Sequence, residues 1–257
     1  MTARFAVRRI NDVRYTDARD YRCAYDLYLP VTDAPVPVLI YFYGGGLTTG
    51  EKGTTRPIPQ ALAEQGIAVV MPDYRLMPDV RYPAFIEDAA DAVAHAMAHV
   101  GEYCRPTRFY VGGHSAGCYL SMMLAFDRHY LADRGIDAAA LGGYVLLSGG
   151  TTKHFAILAQ EGQDNRALRI DETCVLWHLR PDGAPLFVVS GDSDMPTRCA
   201  ENRLFVSALK RYGYASPIVY REYDGVSHGD FVRVSAKTGE IPVLADLLAF
   251  FSMCETR

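Results

Sequence analysis

The sequence predicts an α/β fold: an open, doubly wound, mostly parallel sheet with helices on both faces. Three observations carry this. First, short apolar runs recur along the chain: "VLIYF" (38–42), "IAVVM" (67–71), "RFYVGG" (108–113), "GYVLLSG" (143–149) and "PLFVVSG" (185–191). Strands covered on both faces read this way, because neither set of alternate side chains meets water. Second, helix-like segments separate them in a βαβα order, the pattern that gives parallel strands with right-handed crossovers. Third, 257 residues at 49% hydrophobic content suffice for one large core, so a single domain over 1–257 is expected.

The elements follow in order. "YDLYLP" (25–30) alternates as an outer strand does. Helices are expected over 55–66, from Ala84 to about Val100, from Ala116 to about Tyr130, from Thr197 to about Tyr212, and over 241–253. The stretch 150–184 is longer than a simple crossover needs and reads as short helices forming a small cap. Ligands of such sheets bind beyond the carboxyl ends of the strands, so the functional residues are sought there.

Composition removes several function classes. A net charge of -4 and an isoelectric point near 6.0 leave no basic footprint for nucleic acid or an anionic membrane. No apolar run reaches transmembrane length, and six scattered cysteines without a C-x-x-C pair fit free thiols, so a cytoplasmic location is expected. Cys118 reads as a buried small hydrophobe or as a residue bordering the site. His95 and His99 have an i,i+4 spacing but lack the H-E-x-x-H glutamate, so neither metal nor cofactor is assigned. A small molecule is the expected partner, and a homodimer stays open.

The chemistry begins at "FYVGGHSAGCYL". Gly113-His114-Ser115-Ala116-Gly117 fits G-x-S-x-G, in which a strand turns so sharply into a helix that the serine hydroxyl stands clear of the backbone. A serine hydroxyl needs a histidine to take its proton and a carboxylate to orient that histidine. Asp192 and Asp194 in "GDSDMP", then His228 in "YDGVSHGDF", follow in the required order, each just past an expected strand end. Either aspartate satisfies the spacing. Developing negative charge on a carbonyl oxygen needs pre-aimed amides; Gly44, Gly45 and Gly46, directly after a buried strand, and Ala116 can supply them.

With "DLYLP", "YGGG", "PDYRLMPDVRYPAFIEDAADAV", "GHSAG", "GDSD" and "GVSHGDF", most of the chain resembles an α/β-hydrolase of the hormone-sensitive-lipase-like esterase group, which includes bacterial acetyl-hydrolases and the related kynurenine formamidases. The resemblance implies Ser115 as nucleophile, His228 as base, Asp194 as acid, and the amides of Gly45, Gly46 and Ala116 as oxyanion hole. It implies a carboxylic ester as first substrate and an aryl formamide as second, with water or another acyl acceptor resolving the acyl-serine. The chain departs from the family at Tyr43 and Leu47, where H-G-G-G or H-G-G-x-W is usual. Tyr43 is read as a substitute for the histidine's structural bonds, a pocket residue or a packing residue. Leu47, His114 and, in the cap, Trp177 complete the candidate substrate contacts. The rival class is a binding protein on the same fold, which typically lacks a triad member; none is missing here.

Overall fold

The computed structural model describes residues 4–17, 22–54 and 57–256. In chain order the elements are β1 (Val7–Arg14), β2 (Ala24–Pro30), β3 (Val36–Phe42), α1 (Pro57–Glu64), β4 (Ala68–Pro72), α2 (Ala84–His99), β5 (Pro106–His114), α3 (Ala116–Phe126), α4 (His129–Ala132), β6 (Gly143–Leu147), α5 (Phe155–Gln160), β7 (Leu186–Ser193), α6 (Arg198–Tyr212), β8 (Ile218–Ser227) and α7 (Leu244–Glu255). They form an eight-stranded sheet in the order β1-β2-β4-β3-β5-β6-β7-β8. From β4 to β8 every pairing is parallel.

Three corrections follow. The βαβα order does not run throughout: β1, β2 and β3 succeed one another without a helix, and β2 pairs antiparallel with both β1 and β4. The helix expected to reach Tyr130 ends at Phe126, where Asp127 leaves helical geometry at φ -89°, ψ 83°. The C-terminal helix begins at Leu244 rather than Ile241, one residue after the segment holding Pro242. The expected start of the first helix at Thr55 lies outside the described residues; its described part begins at Pro57, where a missing amide hydrogen costs nothing.

Continuous apolar strands are explained by cover on both faces. Val38, Ile40 and Phe42 pack to one side with Phe85, Val93, Leu120 and Phe205 of α2, α3 and α6. Leu39 and Tyr41 pack to the other with Ile58 and Leu62 of α1 and Leu247 and Phe251 of α7. Burial of a large aliphatic side chain is worth about 1.5–3 kcal/mol, so the period-two division fixes strand register. The carboxyl ends of β3, β5, β7 and β8 therefore meet along one rigid rim, and the candidate residues sit there.

Candidate active site

Ser115 occupies the turn between β5 and α3 at φ 56°, ψ -115°, a left-handed backbone costly for a residue with a side chain. Its neighbours make the turn possible. A Cβ on Gly113 would stand 2.5 Å from the Phe42 carbonyl oxygen, and one on Gly117 would stand 2.0 Å from it. Only glycine lets β3 and α3 approach that closely. The Ser115 amide donates to Leu147 O over 2.9 Å, tying the turn to the end of β6.

The structure brings three predicted side chains together from three strand ends. Ser115 Oγ lies 2.7 Å from His228 Nε2, and His228 Nδ1 lies 2.6 Å from Asp194 Oδ1. The carboxylate at Nδ1 places the ring proton there and leaves Nε2 free to accept from the serine. Burial pushes Asp194 up, but hydrogen bonds from His228 and Ser148 outweigh it and hold the carboxyl below its ordinary range. Asp192 points elsewhere: its Oδ1 accepts from the Gly225 amide at 2.7 Å and from Ser193 Oγ at 3.0 Å. The choice that spacing left open falls geometrically to Asp194.

The loop carrying His228 is held at several points. Ser227 donates from its amide and its hydroxyl to Asp230 Oδ2. His114 Nε2 donates to the His228 carbonyl over 2.7 Å. Burial first, and then the neighbouring His228 imidazole, pull the His114 pKa down to about 4, so this ring is a neutral donor near pH 7.

The glycine loop is pinned by the stretch after β4. Tyr74 Oη donates to Tyr43 O at 3.0 Å, and the Met77 amide donates to Leu47 O at 2.8 Å. Arg75 grips the buried Asp88 of α2 through Nε and Nη2, each at 2.8 Å, which anchors that stretch. Gly45 O accepts from the amides of Thr48 and Thr49, turning the loop back on itself. Gly45 and Gly46 adopt φ 141° and 62°, and with Gly44 they form the wall facing Ser115. The Ala116 amide, at the first position of α3, is one of the donors a helix start leaves without an intrahelical acceptor.

These groups open into a cavity of about 420 Å³ lined by Gly44–Gly46, His114, Ser115, His228 and by Thr54, Pro57, Phe155, Met195, Val232 and Arg233. A larger cavity of about 720 Å³ lies between α1 and α7, around Gln60, Thr238 and Leu244, and has no histidine or cysteine among the described residues that line it. The smaller cavity is the one that Ser115 and His228 line.

Three expected substrate contacts lie elsewhere. Tyr43 is fully buried and stacks on Tyr74 with ring centroids 4.7 Å apart, its hydroxyl beside Asp73, so it is a packing residue under the loop. Leu47 is buried at φ 66° and acts through its carbonyl. Trp177 is 61% exposed and outside the cavity wall. His114 alone of the four lines the cavity. Cys118 is buried in the core, where desolvation pushes its thiol up.

Sequence reasoning missed Ser148. Its hydroxyl donates to Asp194 Oδ2 at 2.5 Å and lies 3.0 Å from His228 Nδ1. The available signal was its place directly after an apolar strand, the same position that singled out Ser115 and Asp194. Phe155 and Met195 were also missed, since nothing local marks a wall residue. The His95 and His99 rings stack at 4.3 Å, with His95 Nδ1 on Tyr25 Oη and His99 Nδ1 on Glu102. Among the described residues no group of three metal-ligating side chains converges, and no helix is long and apolar enough to cross a membrane.

The chain is similar to known proteins in sequence and in fold. The BD-FAE family matches residues 25–139. A probable carboxylic ester hydrolase of Mycobacterium tuberculosis, LipM, is 29% identical over 230 residues, spanning 82% of this chain and 53% of its own. A probable isoprenylcysteine alpha-carbonyl methylesterase of Oryza sativa subsp. japonica is 26% identical over 253 residues, spanning 87% of this chain and 58% of its own. The chain thus spans a little over half the length of these curated relatives. Inhibited esterase B from Lactobacillus rhamnosis superposes with a TM-score of 0.81 at 18% identity, covering 97% of this chain and 88% of that one. The chain has the α/β-hydrolase fold, and the sequence relatives it matches are a probable carboxylic ester hydrolase and a probable methylesterase.

Proposed function

We propose that the protein is a serine hydrolase that cleaves a small carboxylic ester through an acyl-serine intermediate. The observation that carries this is the continuous hydrogen-bonded line from Ser115 Oγ through His228 to Asp194 at the floor of an open cavity. His228 Nε2 takes the Ser115 proton as Oγ attacks the ester carbonyl, and Asp194 stabilises the imidazolium that forms. The amides of Gly45, Gly46 and Ala116 receive the oxyanion, in a site walled by the glycine loop, Phe155, Met195 and Val232 together with Thr54 and Arg233. His228 then protonates the departing alcohol, and water repeats the sequence on the acyl-serine.

An aryl formamide presents the same carbonyl to the same groups and is the second substrate class. Segment 150–184 serves as a small cap in this reading, supported by Phe155 of α5 on the cavity wall. A cytoplasmic location belongs to the same proposal; the six cysteines carry no disulfide. The test is a panel of short and long acyl aryl esters beside N-formylkynurenine, assayed with wild type and Ser115→Ala. Turnover of a short ester, absent in the variant, is expected; a protein that binds esters without turning them over is a receptor instead.

A further inference from the structure

Beside the catalytic cavity lies a second one of about 340 Å³, and the two share Phe155 and Met195 as a common wall. Arg198, the first residue of α6, lines it with only 6% of its surface exposed. No protein acceptor among the described residues reaches its Nε or Nη1, and its Nη2 has only the Met195 sulfur, at 3.9 Å. A guanidinium stays charged at every physiological pH, and burying that charge without an anion is strongly unfavourable. The surrounding residues make room for it: a Cβ on Gly150 would fall 2.5 Å from Nη1.

The other charges of this cavity are already satisfied. Glu201 spends Oε2 on the amides of Thr151 and Thr152 and the Thr152 hydroxyl, and Oε1 on the Thr197 hydroxyl. Lys153 is held by Glu161 and Asp171, and Arg166 by Asp164. Arg198 is left as the cation that lacks a counter-charge.

We infer that this cavity is an anion subsite adjoining the catalytic one, and that the substrate carries a carboxylate which Arg198 pairs with while Ser115 attacks the ester. A carboxylate pairs with a guanidinium through short, charge-assisted hydrogen bonds. The inference rests on the proposed ester hydrolysis, and it narrows the substrate class from a neutral ester to an anionic one. Two substrate architectures share this chemistry, one with the carboxylate on the acyl part and one with it on the alcohol part.

The test compares kcat/KM for 4-nitrophenyl butyrate with mono-4-nitrophenyl glutarate, and for phenyl acetate with 4-carboxyphenyl acetate. One anionic ester is expected to exceed its neutral match by ~10-fold or more, the worth of a charge-assisted pair, and Arg198→Met should remove the advantage. The pair that shows it identifies the side of the ester that enters the subsite. Neutral esters turned over as fast as both anionic ones by wild type would overturn the inference while leaving ester hydrolysis standing. If no ester is turned over at all, the functional proposal fails, and calorimetry of glutarate with Ser115→Ala still decides the subsite. Binding there, lost in Ser115→Ala/Arg198→Met, supports it; no binding of glutarate overturns it. Should Arg198→Met fail to fold, competition by glutarate but not by 1,5-pentanediol in wild type supports the subsite, and equal or absent inhibition refutes it.

Discussion

Ser148 Oγ donates to Asp194 Oδ2 across 2.5 Å while lying 3.0 Å from His228 Nδ1, so one buried hydroxyl braces both partners of Ser115. It sits at φ 54° after β6, with its amide donating to Val189 O. Because the serine touches the carboxylate and not the reacting atoms, it is a positioning residue. Ser148→Ala should lower kcat by ~10-fold or more, the worth of a hydrogen bond to a charged group, with KM nearly unchanged. Steady-state kinetics check this; a rise in KM at constant kcat would show that Ser148 acts on binding instead.

The two aspartates of one loop predict different damage. Asp194→Asn should keep the fold but favour the wrong His228 tautomer, costing up to ~10⁴ in kcat. Asp192→Asn weakens the bond from the Gly225 amide and should cost about 1 kcal/mol of stability with little loss of rate. Measuring kcat and the denaturation midpoint for both variants decides it, and a catalytically dead Asp192→Asn would exchange the roles.

The sheet and the line of reacting groups were legible because each is written locally: apolar runs mark covered strands, and strand ends followed by small residues mark the rim. What escaped was written elsewhere in the chain. β1, "VRRINDVR", is an edge strand with most residues partly or fully exposed and a register break between Ile10 and Val13, so neither alternation nor an apolar run announces it. Tyr43 was ambiguous because its partner Tyr74 is 31 positions away, and only the fold turns the two rings face to face. Trp177 was drawn toward the site by its segment, but the residue of that segment on the cavity wall is Phe155.

Removing the Tyr43 hydroxyl leaves the stacked ring, and the bond from Tyr74 goes to the backbone carbonyl. Tyr43→Phe should therefore retain most of the activity, whereas Tyr74→Phe, which loses that bond, should lower kcat by ~10-fold through a loosened glycine loop. Kinetics of the pair test the pinning, and the reverse ranking would place the Tyr43 phenol in the chemistry.

His154 Nδ1 accepts the Ala156 amide as the N-cap of α5, and burial pulls its pKa from 6.5 to about 3. Its folded value lies below its unfolded one, so the stabilisation is complete above pH 6.5 and is lost as pH falls toward 3. His114, lowered to about 4, acts in the same direction. His154→Asn keeps a capping acceptor without the titration. Denaturation midpoints from pH 7 to pH 4 should fall less steeply in the variant than in wild type; parallel slopes would show that His154 does not titrate on unfolding.

The central claim is that Ser115 is a nucleophile activated by His228. Treatment with a fluorophosphonate followed by peptide mass spectrometry reads this directly. Near-stoichiometric modification confined to Ser115, and strongly slowed in a His228→Ala variant, is the predicted result. An unmodified Ser115 in folded wild-type protein, or a label on another residue, would contradict the account.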